Sequence, residues 1–331
     1  MKKLFARHRR LAIALALVGT ALAGCGLNSG GAVPYFVGPG SIKPVAGLEG
    51  VPITVGSKDF TENILLGYIA EYALEAAGMK VEDLTDIEGS NSSRLAETTG
   101  QIDMMWDYTG TGWISYQGNN NPIADPIQMY NAVRAADLKQ GIDWIDLAPM
   151  NDTYAIAENQ AVKDKYHVTN LTQLAALAKK DPSAATFCLE TEFASRNDGF
   201  PGLVKKYGMN IPNSQIQILD TGAVYAATAK AQACNFGEIF STDARTISLH
   251  LTVLDDDRKF FPSYNAAVTI RKSYLDQHPQ LEQVLAPVSA KLTNQAIIDM
   301  SYQVDVLGKD WADVAKNWMV QQGFVTASSS G

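Results

Sequence analysis

From Ile53 onward, short β-like apolar runs alternate with stretches whose apolar residues recur at helical spacing. Residues 53–56 read as a strand. A helix follows over 61–77, with Ile64, Leu65, Tyr68, Ile69 and Tyr72 on helical positions until Gly78 stops it. Residues 81–87 read as a second strand, 92–99 as a short helix and 102–106 as a third strand. This β-α-β-α-β order predicts a mostly parallel sheet with ligand loops at the strand ends. Further on, 154–158 and 186–189 read as strands, with a helix over 171–179 between them. Residues 215–219, 224–233 and 237–240 continue the alternation, and 264–270 is again strand-like. From 273 to 323 the pattern is helical, through 281–305 and 311–321. There is no internal repeat. The patterned part, roughly 275 residues, is long enough for two α/β lobes.

The start of the chain has a different character. Lys2, Lys3, Arg7, Arg9 and Arg10 precede an apolar run over 11–18, and Leu22-Ala23-Gly24-Cys25 follows. The run is too short to span a bilayer and reads as a secretory signal peptide over 1–24. A cysteine after Leu-Ala-Gly resembles a bacterial lipobox, which implies lipid attachment at Cys25. Residues 25–50 are rich in glycine and proline and read as a flexible, lipid-anchored tether. The expected location is extracytoplasmic, on the outer face of the bacterial cell membrane. No other run is apolar enough to cross a bilayer, so the chain is not read as a channel.

Charge and cysteines narrow the classes further. The 27 Lys+Arg against 35 Asp+Glu give −8, and removing the five basic residues of the signal lowers this to about −13, a surface that repels nucleic acid. Nucleic acid is therefore excluded as a partner. Cys188 and Cys234 are the remaining cysteines. Outside the cytoplasm they are expected to form a disulfide, the alternative being two buried thiols. His8, His167, His250 and His278 are scattered and have no ligand spacing, so no metal is expected. No cofactor is implied.

Two dense stretches carry candidate chemistry. Gly56-Ser57-Lys58-Asp59-Phe60-Thr61-Glu62 follows the first strand, and Trp106-Asp107-Tyr108-Thr109-Gly110-Thr111-Gly112 ends the third. An aromatic face attracts organic cations, while lysine and hydroxyl donors hold carboxylates. A ligand with both charges suits the pair. Taken alone, the second stretch reads equally as a core tyrosine followed by a glycine turn.

Four more motifs occur in order: Asn151-Asp152-Thr153-Tyr154, Ser241-Thr242-Asp243, Asp257-Arg258-Lys259-Phe260-Phe261-Pro262-Ser263-Tyr264, and Tyr302-Gln303-Val304-Asp305-Val306-Leu307-Gly308-Lys309-Asp310. With the first two, this set resembles the substrate-binding lipoproteins of osmoprotectant ABC transporters, those for glycine betaine, choline and related compounds. The resemblance spans residue 51 to the end. It implies an α/β, two-lobed type II periplasmic-binding-protein fold with two crossover hinge segments, near 147–153 and 254–262. Lobe one would comprise 51–149 plus 259–331, and lobe two 150–258.

The resemblance also implies an aromatic cage around a quaternary ammonium, formed by Tyr108, Tyr154, Tyr264 and Phe240. Many relatives carry tyrosine at the last position. Phenylalanine keeps the π face and loses the hydroxyl, which leaves the identity of the cation open. For a carboxylate the resemblance points to Lys58, Thr111 and Arg196, with Glu192 placed at i,i+4 to orient the guanidinium or to form a surface pair. Asp152 reads as a turn residue or as offering its backbone carbonyl oxygen to the cation, and Tyr225 as core.

The implied function is a solute receptor, expected to be a monomer, that closes on a small zwitterionic or cationic solute. It would deliver the solute to an ABC permease driven by its ATPase subunit. The alternatives are the same fold binding an aromatic or polyol ligand, or an exported enzyme. Against an enzyme, no nucleophile elbow, triad order or zinc motif is present.

Overall fold

The computed structural model describes residues 31–34, 36–120 and 123–327. The signal segment and Cys25 lie outside them. In chain order the strands are β1 (Gly31–Ala32), β2 (Val37–Pro39), β3 (Pro52–Lys58), β4 (Lys80–Ile87), β5 (Met104–Tyr108) and β6 (Ile142–Ile145). Then come β7 (Tyr154–Glu158), β8 (Phe187–Leu189), β9 (Ile216–Ile218), β10 (Phe236–Phe240), β11 (Thr252–Val253), β12 (Ala266–Arg271) and β13 (Val325–Ala327). They form a six-stranded sheet, β1-β4-β3-β5-β12-β6, a five-stranded sheet, β11-β7-β10-β8-β9, and a small β13-β2 pair.

Both large sheets are mixed, where the sequence pattern predicts a mostly parallel one. In the first, β3 runs parallel to β4 and β5, but β12 is antiparallel to β5 and β6. The cause is the return path of the chain. β12 re-enters the first sheet from the second, starting at the end where β3 and β5 finish. In the second sheet β7 enters the same way and pairs antiparallel with β10, while β8 runs parallel to β10. The ends of β3, β5, β8 and β10 and the beginnings of β7 and β12 therefore converge on one cleft.

Two adjacent segments cross between the sheets. Asn151 and Asn265 form an isolated antiparallel bridge. Beside it the Asp152 amide donates to the Tyr264 carbonyl at 3.1 Å, and Thr153 Oγ1 donates to the Pro262 carbonyl at 2.9 Å. Leu254 is still tied to Ile156 of β7.

The helix α1 (Thr61–Ala76) is buried almost all round, because it lies between the first sheet and the helix Trp311–Gln321. Gly67 permits the approach, since a Cβ there would meet Thr85 at 2.7 Å. The continuous helical pattern over 281–305 is interrupted: Leu281–Ser289 ends, Thr293 caps a new helix Asn294–Ser301, and a π-turn covers Tyr302–Val306. A helix Pro126–Asp137 and strand β6 add elements that the apolar pattern did not reveal.

One expectation is corrected. Residues 37–50, assigned to the flexible tether over 25–50, are packed. β2 pairs with β13, Leu48 is fully buried, and the Val45 amide donates to the Ala77 carbonyl. Single apolar residues among glycine and proline carry no periodicity, so a coil that packs on α1 looks like a linker in the sequence.

Candidate ligand site between the lobes

β3 delivers its terminal residues to the cleft through Gly56, where a Cβ would sit 2.6 Å from Ile102. Lys58 is buried there, with Nζ 2.7 Å from Asp107 Oδ1, and its amide donates to Asn63 Oδ1. The other Asp107 oxygen accepts from the Tyr116 hydroxyl at 2.8 Å. Tyr108 closes β5. Its hydroxyl donates to Glu62 Oε1 at 2.7 Å and accepts from Asn63 Nδ2. The Thr109–Thr111 turn begins immediately after it. Gly110 is needed in that turn because a Cβ would meet the Tyr264 ring at 2.5 Å.

The second sheet supplies the opposite wall. Tyr154 starts β7 and Phe240 ends β10, and the two are register partners. Their rings lie 5.2 Å apart. Phe60, the residue capping the start of α1, stacks on Phe240 at 5.4 Å and reaches Tyr108 at 5.9 Å. Tyr264 meets Tyr154 edge-on at 5.3 Å. Five rings thus form a continuous chain, Tyr108–Phe60–Phe240–Tyr154–Tyr264, and all of them line a cavity of about 670 Å³ between the lobes.

Beyond the rings the cavity becomes polar. Arg196, just past the helix Thr191–Ser195, forks onto Asp198 with Nε–Oδ1 at 2.9 Å and Nη2–Oδ2 at 2.5 Å. Nη1 donates to Glu192 Oε2 at 3.2 Å, and Nη2 reaches across the cleft to Thr111 Oγ1 at 3.3 Å. Glu192 also spans the lobes, accepting from the amide and hydroxyl of Ser90 at the start of α2 (Ser90–Thr99). Burial alone would raise the Glu192 carboxyl. Lys58, Arg196 and the Ser90 donors outweigh it and hold the group below its usual range. Asp198 is likewise held low, burial being outweighed by Arg196 and the Tyr264 hydroxyl.

All eight sequence-derived candidates, Lys58, Tyr108, Thr111, Tyr154, Glu192, Arg196, Phe240 and Tyr264, line this one cavity. Lys58 and Arg196 are not isolated charges: each is committed to a buried acid. Tyr225 is fully buried and takes no part in the lining. Its hydroxyl accepts from the Phe240 amide at 2.8 Å and so fixes that ring's backbone.

Among the site components the sequence reading did not assign are Phe60, Glu62, Asp198 and Thr242. Phe60 had a signal, a large ring between a strand end and a helix start. Asp198, two residues after an arginine, had a weaker one. Glu62 and Thr242 lie within the motifs quoted above, but nothing local marks them as each other's partners. Behind the rings Thr242 Oγ1 lies 2.5 Å from both Glu62 Oε2 and Asp152 Oδ1. Burial raises both carboxyls, Asp152 to about 7 and Glu62 well above its ordinary value, and their proximity raises Glu62 further.

Cys188 of β8 and Cys234, just before β10, are joined as a disulfide. Among the described residues no cluster of His, Cys, Asp and Glu could hold a metal ion, and no helix is long and apolar enough to cross a membrane.

Residues 51–321 match the OpuAC family, the substrate binding domain of the ABC-type glycine betaine transport system. The glycine-betaine-binding protein of Pseudomonas aeruginosa is 29% identical over 284 residues, covering 84% of this chain and 90% of the relative. The glycine betaine-binding protein YehZ of Escherichia coli is 31% identical, covering 82% and 91%. Its ligand-free structure superposes with a TM-score of 0.60 at 30% identity, over 82% of this chain and 99% of that one. The ergothioneine transport permease/ergothioneine binding protein EgtU of Helicobacter pylori is 28% identical over 85% of this chain, which spans 49% of that longer protein.

Proposed function

The chain belongs to the OpuAC family of substrate-binding domains of ABC-type glycine betaine transport systems, and on that premise we propose that it captures a quaternary ammonium solute between its lobes for delivery to a membrane permease. The five-ring chain lining the cleft is the observation that carries this reading. A trimethylammonium group seated among Phe60, Tyr108, Tyr154 and Phe240 gains about 0.5–2 kcal/mol from each ring it faces. Phe60 and Tyr108 come from the first lobe and Tyr154 and Phe240 from the second, so only the closed form completes the cage. Phe240 keeps the cation-binding face that tyrosine would offer, and Phe60 extends the wall beside it.

Lys58, Thr111 and Arg196 form the polar end that would receive a carboxylate, with Glu192 orienting the guanidinium. We take residues 150–258 as lobe two and the remainder of the structured chain as lobe one. The disulfide fits an oxidising compartment, in keeping with an extracytoplasmic protein anchored through Cys25. The protein acts as a receptor and leaves its ligand unchanged.

The test is isothermal titration calorimetry with glycine betaine and with choline. One-to-one binding of either supports the assignment, and no binding of either compound overturns it. A second reading has a specific basis. Because Lys58 and Arg196 already face Asp107 and Asp198, the cleft offers no uncompensated positive charge from these two residues. That favours a cation without a carboxylate, and tighter binding of choline than of glycine betaine would select it.

A further inference from the structure

Behind the aromatic wall lies a group of three residues from three parts of the fold. Glu62 comes from α1 in the first lobe, Thr242 from the turn after β10 in the second, and Asp152 from the crossing segment. All three are buried, at 5%, 1% and 5% exposure. The Thr242 hydroxyl stands 2.5 Å from an oxygen of each acid. A hydroxyl has one proton to donate. It can satisfy one carboxylate at that distance, so the other contact requires a proton on the carboxyl itself.

The remaining contacts say where that proton sits. Asp152 Oδ1 also faces the Thr242 amide at 3.4 Å, and Asp152 lines the cavity, where a cationic ligand would favour its charge. Glu62 does not line it. Its Oε1 accepts the Tyr108 hydroxyl proton, which leaves Oε2 to carry its own. The ordered chain is Glu62 Oε2–H to Thr242 Oγ1, and Thr242 Oγ1–H to Asp152 Oδ1.

The charged neighbours leave this arrangement intact. Lys58, from β3, is bonded to Asp107. Arg245, beside Thr242, is paired with Asp243 and lies 3.8 Å from Asp305 of the π-turn, which also accepts from Thr61. Tyr108 is the only other titratable group bonded to the pair among the described residues. No cation is ion-paired with Glu62 or Asp152 among the described residues.

We propose that Glu62, Thr242 and Asp152 form a shared-proton bridge assembled when the lobes close, so that solute capture takes up a proton. This rests on the reading of the cleft as a solute site. Opening the lobes would return Glu62 to water and to the ordinary carboxylate range. In the closed form it keeps its proton to a higher pH. Closed protein therefore holds more protons, and binding tightens as pH falls. The effect reaches at most about tenfold in Kd per pH unit and levels off below about pH 4.

Calorimetry with glycine betaine and choline at several pH values, each in phosphate and in Tris, counts the protons taken up. The expected result at pH 8 is net proton uptake on binding, with Kd rising on alkalinisation. In Glu62→Gln the amide replaces the acid as donor, so the uptake at pH 8 and the further rise of Kd above pH 8 disappear. Zero uptake by the wild type, or uptake that persists in Glu62→Gln, overturns the proposal. Glu62→Met, which also lacks the titrating acid, serves the same comparison if Glu62→Gln does not fold. If neither compound binds at any pH, the binding assignment fails and the bridge is read by infrared spectroscopy of the protein at pH 8. A neutral-carboxyl band that Glu62→Gln removes sustains the bridge; absence of the band overturns it.

Discussion

At the scale of single residues, Phe60 and Phe240 present the same kind of face from opposite lobes. Their near-parallel rings, 16° between planes, place two π faces side by side without a hydroxyl. Replacing either by alanine should remove one cation–π partner, and a loss of about 0.5–2 kcal/mol weakens binding roughly 2–30-fold, as read by calorimetry. Phe240 was legible because the Ser241-Thr242-Asp243 motif fixes its place. Phe60 sat in plain view in the Lys58 stretch, yet its role depends on a neighbour 180 residues away, and nothing local marks that. The same holds for Thr242, whose two partners lie on a helix and a crossing segment distant in sequence. Residues that act through side-chain geometry across the cleft are the ones a linear reading misses.

Among elements, the strands that build the site were legible and their directions were not. Alternation of apolar runs located β3, β5, β7, β10 and β12 to within a few residues. It could not show that β7 and β12 start at the cleft while the others end there, because direction follows from the crossing of the chain between sheets. The segment before β3 was misread for a different reason: composition stood in for packing. Leu48 is fully buried, so Leu48→Ala should destabilise by about 2–5 kcal/mol in thermal or denaturant unfolding. A chain begun at Val37 should melt as the longer one does, and a chain begun at Val51 well below it. Equal melting of all three would show that 37–50 is a tether after all.

For the whole molecule, buried acids set the response to pH. Burial raises Glu97 to about 8, and Glu75, Asp146, Asp152 and Glu158 to about 7. Groups with a folded pKa above the unfolded one contribute stability that is full below about pH 4 and is lost as pH rises through 7–8. Asp198 and Glu192, held low, act in the opposite sense, and their contribution is lost only as pH falls below about 4. Between these limits the melting temperature should fall steadily from pH 5 to pH 8.5 in differential scanning calorimetry. A melting temperature that rises over that range would contradict the burial of these acids.

The proposed function seats a quaternary ammonium among the rings that close between the lobes. A crystal structure of the protein grown with choline or glycine betaine tests it most directly. The expected result is closed lobes and a trimethylammonium group within about 6 Å of the ring centres of Phe60, Tyr108, Tyr154 and Phe240. An empty ring cluster at saturating ligand, or the compound bound elsewhere on the molecule, would contradict it.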